Sequence, residues 1–112
     1  MIVEQRTYDF YPGKVPEFMR VYDDTGAREL QMRVLGHMVG YFVTELGPLN
    51  QTVHMWAYRS LDDRMARRAV LFQDPIWRTF LAQAGPLILR QESKILLPTP
   101  FSPIPVGRAE SD

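Results

Sequence analysis

An α+β fold is predicted by the order in which hydrophobic periodicity changes along the chain. Segments with strand-like alternation and β-branched or aromatic residues occupy residues 2–10, 38–46, 52–58 and 87–97. Segments with helical spacing follow the first and the third of them. This order, strand, helix, strand, strand, helix, strand, is that of the split βαβ or ferredoxin-like plan. We therefore predict a ferredoxin-like βαββαβ fold in which helices cover one face of a four-stranded antiparallel sheet.

A clear turn separates the first strand from the first helical segment. Residues 2–10 end at a Tyr-Pro-Gly turn at residues 11–13. Apolar residues then recur at helical spacing through residues 15–34, and Gly36 offers a helix stop. Gly26 lies on the apolar stripe, where it either permits close packing or marks a break in the helix.

The second half of the chain begins with a predicted hairpin. Gly-Pro-Leu-Asn at residues 47–50 forms the turn, and so short a connection favours an antiparallel pair of strands. Ser60, with an aspartate three residues later, resembles a capping box and begins a helix. The predicted apolar stripe of that helix consists of Leu61, Met65, Ala69 and Phe72. An Asp-Pro pair at residues 74–75 begins a further helical segment, which ends at a Gly-Pro pair at residues 85–86.

The chain is expected to form one domain followed by a tail. Its 112 residues, 46% of them hydrophobic and 23% charged, are typical of a single folded domain. Four of the nine prolines lie between residues 98 and 105. We assign residues 1–97 to the domain and residues 98–112 to an extended, proline-rich tail.

Composition argues against several classes of function. Thirteen basic and thirteen acidic residues cancel, so no overall field attracts nucleic acid or an anionic membrane. The absence of cysteine removes disulfides, thiolate metal sites and cysteine nucleophiles. No apolar run is long enough to span a membrane, and the charged first ten residues do not form a signal peptide. We predict a cytoplasmic protein with neither membrane insertion nor a nucleic-acid partner.

Known metal and cofactor motifs are also missing. His37 and His54 lack the spacing of histidine metal sites, and the glycines form neither a dinucleotide-binding nor a phosphate-binding loop. We predict no metal and no cofactor. The compact basic cluster formed by Arg64, Arg67 and Arg68 is interpreted as the solvated outer face of a helix, next to neighbouring aspartates.

The third strand carries apolar or aromatic side chains on both of its faces, and residues 41–43 repeat this pattern. Two helical segments cover one face only, so the other face needs a partner. The same surface on a second copy of the chain is the simplest one. We therefore expect a homodimer whose sheets face each other. The alternative is a monomer in which the proline-rich tail covers this face.

Polar and aromatic side chains share one face of two strands. On the third strand this face holds His54 and Trp56, and on the first strand it holds Glu4, Arg6 and Tyr8. If the two faces coincide, they form a pocket for a flat organic ligand. The candidate ligand-binding residues are Arg6, Tyr8, Tyr41, His54, Trp56 and Trp77.

A structural interpretation of the same residues is left open. Arg6 could pair with Glu4 or with Glu92 in the interior of the dimer, without forming a site. His54 would then be a core histidine that needs partners for its two ring nitrogens. Trp77, which could close a pocket from the last helix, would simply belong to the core.

Several motifs resemble one known family. Arg-Thr-Tyr at residues 6–8, Pro-Gly-Lys at residues 12–14 and LNQTVHMWAY at residues 49–58 are similar to the NIPSNAP family, and the resemblance extends from residue 2 to about residue 100. Gln5 departs from the leucine expected at that position. The resemblance implies a dimeric α/β barrel, a fold shared with small cofactor-independent monooxygenases. It implies neither an activity nor a catalytic residue.

Three functions follow as expectations. The first is a homodimer that binds a small hydrophobic or aromatic ligand between sheet and helices, with enzymatic turnover left open. The second is a structural or protein-interaction module in which the same residues only stabilise the dimer. The third is a cofactor-independent monooxygenase with His54 or Tyr41 as the base and Trp56 as a stacking surface.

Overall fold

A four-stranded antiparallel sheet covered by helices on one face forms the fold. The computed structural model describes residues 1–104, so residues 105–112 of the predicted tail lie outside the described residues. The strands are β1 (Ile2–Phe10), β2 (His37–Val43), β3 (Gln51–Tyr58) and β4 (Ile88–Leu96). They lie in the order β2-β3-β1-β4. The predicted ferredoxin-like α+β fold is confirmed.

Each helical segment is divided in two. The helices are α1 (Val15–Asp24), α2 (Ala27–Leu35), α3 (Leu61–Gln73) and α4 (Pro75–Ala84), and a 3₁₀ turn over Gly85–Leu87 leads into β4. Between α3 and α4, the side chain of Asp74 accepts a hydrogen bond from the backbone N–H of Ile76 at 2.9 Å. This N-cap, with proline as the next residue, begins α4 where the sequence predicts it.

Gly26 marks the break between α1 and α2. Its φ of 84° lies in the left-handed region, which glycine adopts without steric cost. A Cβ atom at this position would lie 3.9 Å from the side chain of Ile76, an ordinary contact. The backbone conformation, and not close packing, therefore requires glycine here.

Helix α3 faces the sheet with a different side from the predicted one. Leu61, Met65 and Phe72 are 54%, 60% and 44% exposed, whereas Leu71 is fully buried. The predicted apolar stripe is therefore wrong. Arg64 precedes Leu71 by seven residues, which corresponds to two helical turns, and so lies on the inward side with it. The physical reason for this orientation is an acidic residue buried beneath α3, described below.

The helix-covered face of the sheet holds the main core. Cross-strand pairing places Glu4 opposite Trp56 and Arg6 opposite His54, so the two polar and aromatic strand faces coincide. Aromatic rings from the sheet pack against Phe18 of α1 and further rings of α4. Candidate site residues and core residues thus share one layer.

The opposite face of the sheet is only partly covered. Val3 and Ala57 form a small cluster there, against which Ile104 of the tail packs. Phe42 is 54% exposed. Its ring lies against Gly40, where a Cβ atom would approach the ring to 2.6 Å. The described part of the tail therefore covers one region of this face, and other parts remain open.

Candidate functional site

A buried carboxylate on β1 organises the charged groups of the site. Glu4 is 0% exposed, and its carboxylate accepts hydrogen bonds from Arg6 at 3.0 Å and from Arg64 at 2.8 and 2.9 Å. The Ser93 hydroxyl also donates to it. Burial acts to raise the pKa of Glu4, but the hydrogen bonds from Arg64 and Ser93 and the charges of both arginines lower it to about 2. The carboxylate is therefore ionised at neutral pH.

Of the two charge pairs considered for Arg6, the structure contains the one with Glu4. Glu92 lies opposite Thr7 on β1 and so belongs to the other face of the sheet. Arg6 also donates to the hydroxyl of Tyr8 at 3.1 Å, and its guanidinium lies 5.5 Å from the centre of the Tyr8 ring. These contacts hold Arg6 at the surface of the sheet beneath the helices.

The interpretation of the basic cluster as a solvated outer face is wrong. Arg64 reaches the buried Glu4, and its side chain is only 18% exposed. Arg67 pairs with Asp63 at 2.9 Å and donates to a backbone carbonyl at the end of α2. Arg68, also a residue of α3, is half-buried. A carboxylate buried in the sheet needs cationic partners, and Arg64 turns inward to supply one.

His54 is enclosed by aromatic rings. Its ring stacks on Tyr41 at 4.4 Å between centres and meets Tyr8 edge-on at 5.0 Å. Its Nδ1 accepts a hydrogen bond from the indole N–H of Trp56 at 2.8 Å. The proton of the neutral ring is thereby assigned to Nε2, which has no acceptor within residues 1–104. Burial, followed by the nearby charge of Arg6, lowers the pKa of His54 to about 3.

A cavity of about 270 Å³, here called the central cavity, lies between the sheet and the helices. Its lining includes Arg6, Tyr8, Phe18, Gln31, Arg68, Phe72, Trp77 and Phe80. Three of the predicted ligand-binding residues, Arg6, Tyr8 and Trp77, meet here. His54 and Trp56 are buried on the same face of the sheet, but neither lines the cavity.

Two guanidinium groups, two amides and a phenol form most of the polar lining of the central cavity. The indole nitrogen of Trp77 is buried and has no acceptor within residues 1–104. The side-chain oxygen of Gln31 accepts from the hydroxyl of Tyr22, which leaves its amide group as the polar donor. The guanidinium of Arg68 lies 5.2 Å from the centre of the Phe72 ring. The described lining contains no aspartate or glutamate.

A second cavity, here called the edge cavity, lies between α1, α2 and β2. Its volume is about 290 Å³. It is lined by Met19, Tyr22, Asp23, Arg28, Met32, Met38, Tyr41 and Val43. Tyr41, the remaining predicted site residue, therefore lies apart from Arg6 and Trp77. Burial raises the pKa of the Tyr41 hydroxyl, so it stays protonated at neutral pH.

The residues of the central cavity that sequence reasoning missed include two polar ones, Arg68 and Gln31. Gln31 is 3% exposed between apolar positions of α2. Arg68 lies three residues before Leu71, on the inward side of α3. The sequence does contain one signal. Glu4 shares a strand face with Ile2 and Phe10, and a buried carboxylate in such a place requires cationic partners from another element.

The described residues contain neither a metal-binding cluster nor a membrane-spanning helix. Within residues 1–104, no three side chains of the histidine, cysteine, aspartate or glutamate type cluster closely enough to hold a metal ion. None of the helices in that range combines the length and apolar character that crossing a bilayer requires.

The fold and this site define a ferredoxin-like α+β protein with a polar and aromatic cavity between its sheet and helices. Comparison of the sequence with family models gives a match to NIPSNAP over residues 3–103. The chain belongs to the NIPSNAP family, as its motifs predict.

Curated relatives carry the same family name. The NipSnap homolog of Dictyostelium discoideum is 35% identical over 95 residues, which cover 85% of this chain and 41% of the relative. NipSnap homolog 2 of Homo sapiens is 33% identical over 104 residues, which cover 92% of this chain and 35% of the relative. The chain thus spans less than half the length of these relatives.

Solved structures of similar length share both sequence and fold. A crystal structure of a protein from Agrobacterium tumefaciens has 47% identity and a TM-score of 0.88, covering 93% of this chain and 99% of that one. A NIPSNAP-like domain protein from Burkholderia xenovorans has 45% identity and a TM-score of 0.86, covering 93% and 90%. An antibiotic biosynthesis monooxygenase, at 11% identity and a TM-score of 0.61 over 89% of this chain and 100% of its own, shares the fold alone.

Proposed function

We propose that this NIPSNAP-family protein binds a small hydrophobic or aromatic molecule in the central cavity. The observation that carries the proposal is the meeting of Arg6, Tyr8 and Trp77 around about 270 Å³ of space. Binding sites for small molecules combine apolar or aromatic walls with a few converging polar groups. Arg6, Arg68 and Gln91 supply such polar side chains here.

The edge cavity, which is of similar volume, is a weaker candidate. Its walls are mostly methionine, tyrosine and valine, and its two charged residues, Asp23 and Arg28, pair with each other. It therefore has few free polar groups to orient a ligand. The central cavity offers Arg68, Gln31 and Gln91 for that purpose.

Binding is favoured over cofactor-independent oxygenation. A catalytic base must reach its substrate and have a pKa near the working pH. His54 lines neither of the two cavities, and its pKa is lowered to about 3. Tyr41 lines only the edge cavity, where burial raises the pKa of its hydroxyl. Enzymatic turnover is left open, and the cytoplasmic location stays a prediction.

Filling the cavity tests the proposal. Ala84 is buried and lines the central cavity, whereas Ala82 is an exposed residue of the same helix that lies outside its lining. The protein, Ala84→Leu and Ala82→Leu would be titrated with a panel of single-ring compounds, including phenol, benzamide, benzoate and phenylacetate. Bound compounds are expected to raise the melting temperature of the parent and of Ala82→Leu, but not of Ala84→Leu. Equal shifts in both variants, or no shift in any of the three proteins, would contradict the proposal.

We also propose that the chain forms a homodimer through the open face of its sheet. The helices cover the other face, and Phe42 remains 54% exposed here despite the contacts of the tail residue Ile104 elsewhere on this face. Pairing two such faces buries apolar surface that is otherwise in contact with water. Light scattering should give about twice the chain mass of 13.0 kDa, and a mass of one chain would rule the dimer out.

A further inference from the structure

We infer that the ligand of the central cavity is a small aromatic carboxylate, bound through its anionic group by Arg68. The inference rests on the proposed function and names the chemical class of its ligand.

Three arginines surround one carboxylate in this part of the molecule. Arg6 and Arg64 both donate to Glu4, which is their common acidic partner. Arg68 has no aspartate or glutamate within ion-pair distance in the described part of the chain. The cavity lining contains Arg6 and Arg68 and, among the described residues, no acid. The site therefore carries excess positive charge.

The positive charge of Arg68 is energetically unfavourable in the ligand-free protein. Burial first, and then repulsion by Arg6, lowers the pKa of its guanidinium, and the charge of Glu4, which lies beyond ion-pair distance, offsets this only in part. The ring of Phe72, 5.2 Å away, provides a cation–π contact but no negative charge. An incoming anion would supply the missing partner. A guanidinium binds carboxylate with two parallel hydrogen bonds, which makes this group the best match.

The rest of the cavity is suited to one aromatic ring. Phe18, Phe80 and Trp77 form apolar walls. The volume of about 270 Å³ lies just below the range of about 300–1,000 Å³ that is usual for larger organic ligands. Gln31 also lines the cavity, and its amide is a donor because its oxygen already accepts from Tyr22, so it too favours a ligand with acceptor atoms.

Matched ligand pairs test the inference. Benzoate and phenylacetate would be compared with benzamide and phenylacetamide, which keep the shape and lose the charge. Calorimetry would measure the Kd of each compound for the parent, Arg68→Met and Arg68→Lys. Arg33→Met serves as control, because Arg33 is an exposed arginine of α2 that lies outside the central cavity. Circular dichroism would establish that each variant is folded.

The parent and Arg33→Met are expected to bind at least one carboxylate about tenfold or more tightly than its amide. Arg68→Met should lose this preference, and Arg68→Lys, which keeps the charge but not the planar fork, should retain part of it. Higher salt should weaken the carboxylate more than the amide.

Two results would overturn the inference while leaving the cavity as a binding site. One is equal affinity of the parent for carboxylates and amides, and the other is an unchanged preference in Arg68→Met. Failure of all four compounds and of every neutral compound in the panel would remove the proposed function together with the inference.

Discussion

The indole N–H of Trp56 donates to Nδ1 of His54 across 2.8 Å, between two side chains on the same face of β3. This bond fixes the tautomer of the imidazole and holds it against the ring of Tyr41. The histidine that attracts most attention in the sequence is therefore a packed, neutral core group. Its lowered pKa has a measurable consequence.

Acidification should destabilise the protein through His54 before any carboxylate of the site is protonated. The pKa of His54 falls from 6.5 to about 3 on folding, so between those values the unfolded chain binds a proton that the folded chain does not. Stability is then expected to fall by about 1 kcal/mol per pH unit below pH 6.5. Glu4, whose folded pKa is about 2, adds to this loss only as the pH falls below its ordinary value of 4.5. Urea unfolding between pH 7 and 5 measures how steeply the free energy of unfolding falls with pH. An NMR titration that gives His54 a pKa near 6.5 in the folded protein would show that His54 does not cause this fall.

Glu4→Gln should be strongly destabilising. The substitution leaves Arg6 and Arg64 partly buried without their shared carboxylate, and breaking a buried pair in this way costs about 3–5 kcal/mol. Glu92→Gln is the control, because Glu92 is an exposed residue of the same sheet on the opposite face. Its effect should stay within about 0.5 kcal/mol. Similar urea midpoints for the two variants would mean that the buried network contributes little.

Gly26→Ala and Gly85→Ala should change stability in opposite directions. At Gly26 the φ of 84° forces alanine into the left-handed region, at a cost of about 1–2 kcal/mol. Gly85 has a φ of −52° and open space at its Cβ position, so alanine there should stabilise by about 0.4–1 kcal/mol. Thermal unfolding of both variants measures the difference. A stable Gly26→Ala protein would show that the break between α1 and α2 does not depend on glycine.

The strands and turns were predictable from sequence because their signals are local. Alternating residues, the Gly-Pro turn before β3 and the Asp-Pro cap of α4 each act within a few positions. The inward side of α3 was not predictable in that way. Counting apolar residues selects the side that includes Met65, which is 60% exposed. The helix instead turns Arg64 toward Glu4, sixty residues away in sequence. An ion pair between residues so far apart produces no periodic pattern in the sequence, so the pattern of α3 could not predict it.

The candidate site was predictable only in part, for a related reason. The coincidence of the faces that hold Arg6 and His54 needed the strand register, which pairs these two residues. Whether a residue lines a cavity then depends on gaps between helices that no strand pattern specifies. Tyr8 and Trp77 line the central cavity, whereas His54 is sealed by its neighbours.

A charge introduced on the open face of the sheet should dissociate the proposed dimer. Val53 is a half-buried residue of that face, opposite Thr7 of β1. Val53→Lys would place a charge in the buried centre of an isologous interface, where it meets its own copy. Val70→Lys is the control, since Val70 is 57% exposed on α3. Light scattering should show one chain for the first variant and two for the second. The reverse result would place the interface on the helices.

Arg64 and Arg68, one helical turn apart on α3, should differ sharply when each is replaced by methionine in the ligand-free protein. Arg64→Met removes hydrogen bonds at 2.8 and 2.9 Å to the buried Glu4, which is worth about 1.5–3 kcal/mol. Arg68→Met removes a cation whose pKa burial lowers and which has no acidic partner in the described chain. Its stability should be unchanged or higher, because methionine keeps the apolar stem without the charge. Urea unfolding without added ligand measures both variants. If Arg68→Met lowered the free energy of unfolding as much as Arg64→Met, Arg68 would be a structural residue that stabilises the ligand-free fold. It would then not be an unpaired cation available to bind an anion.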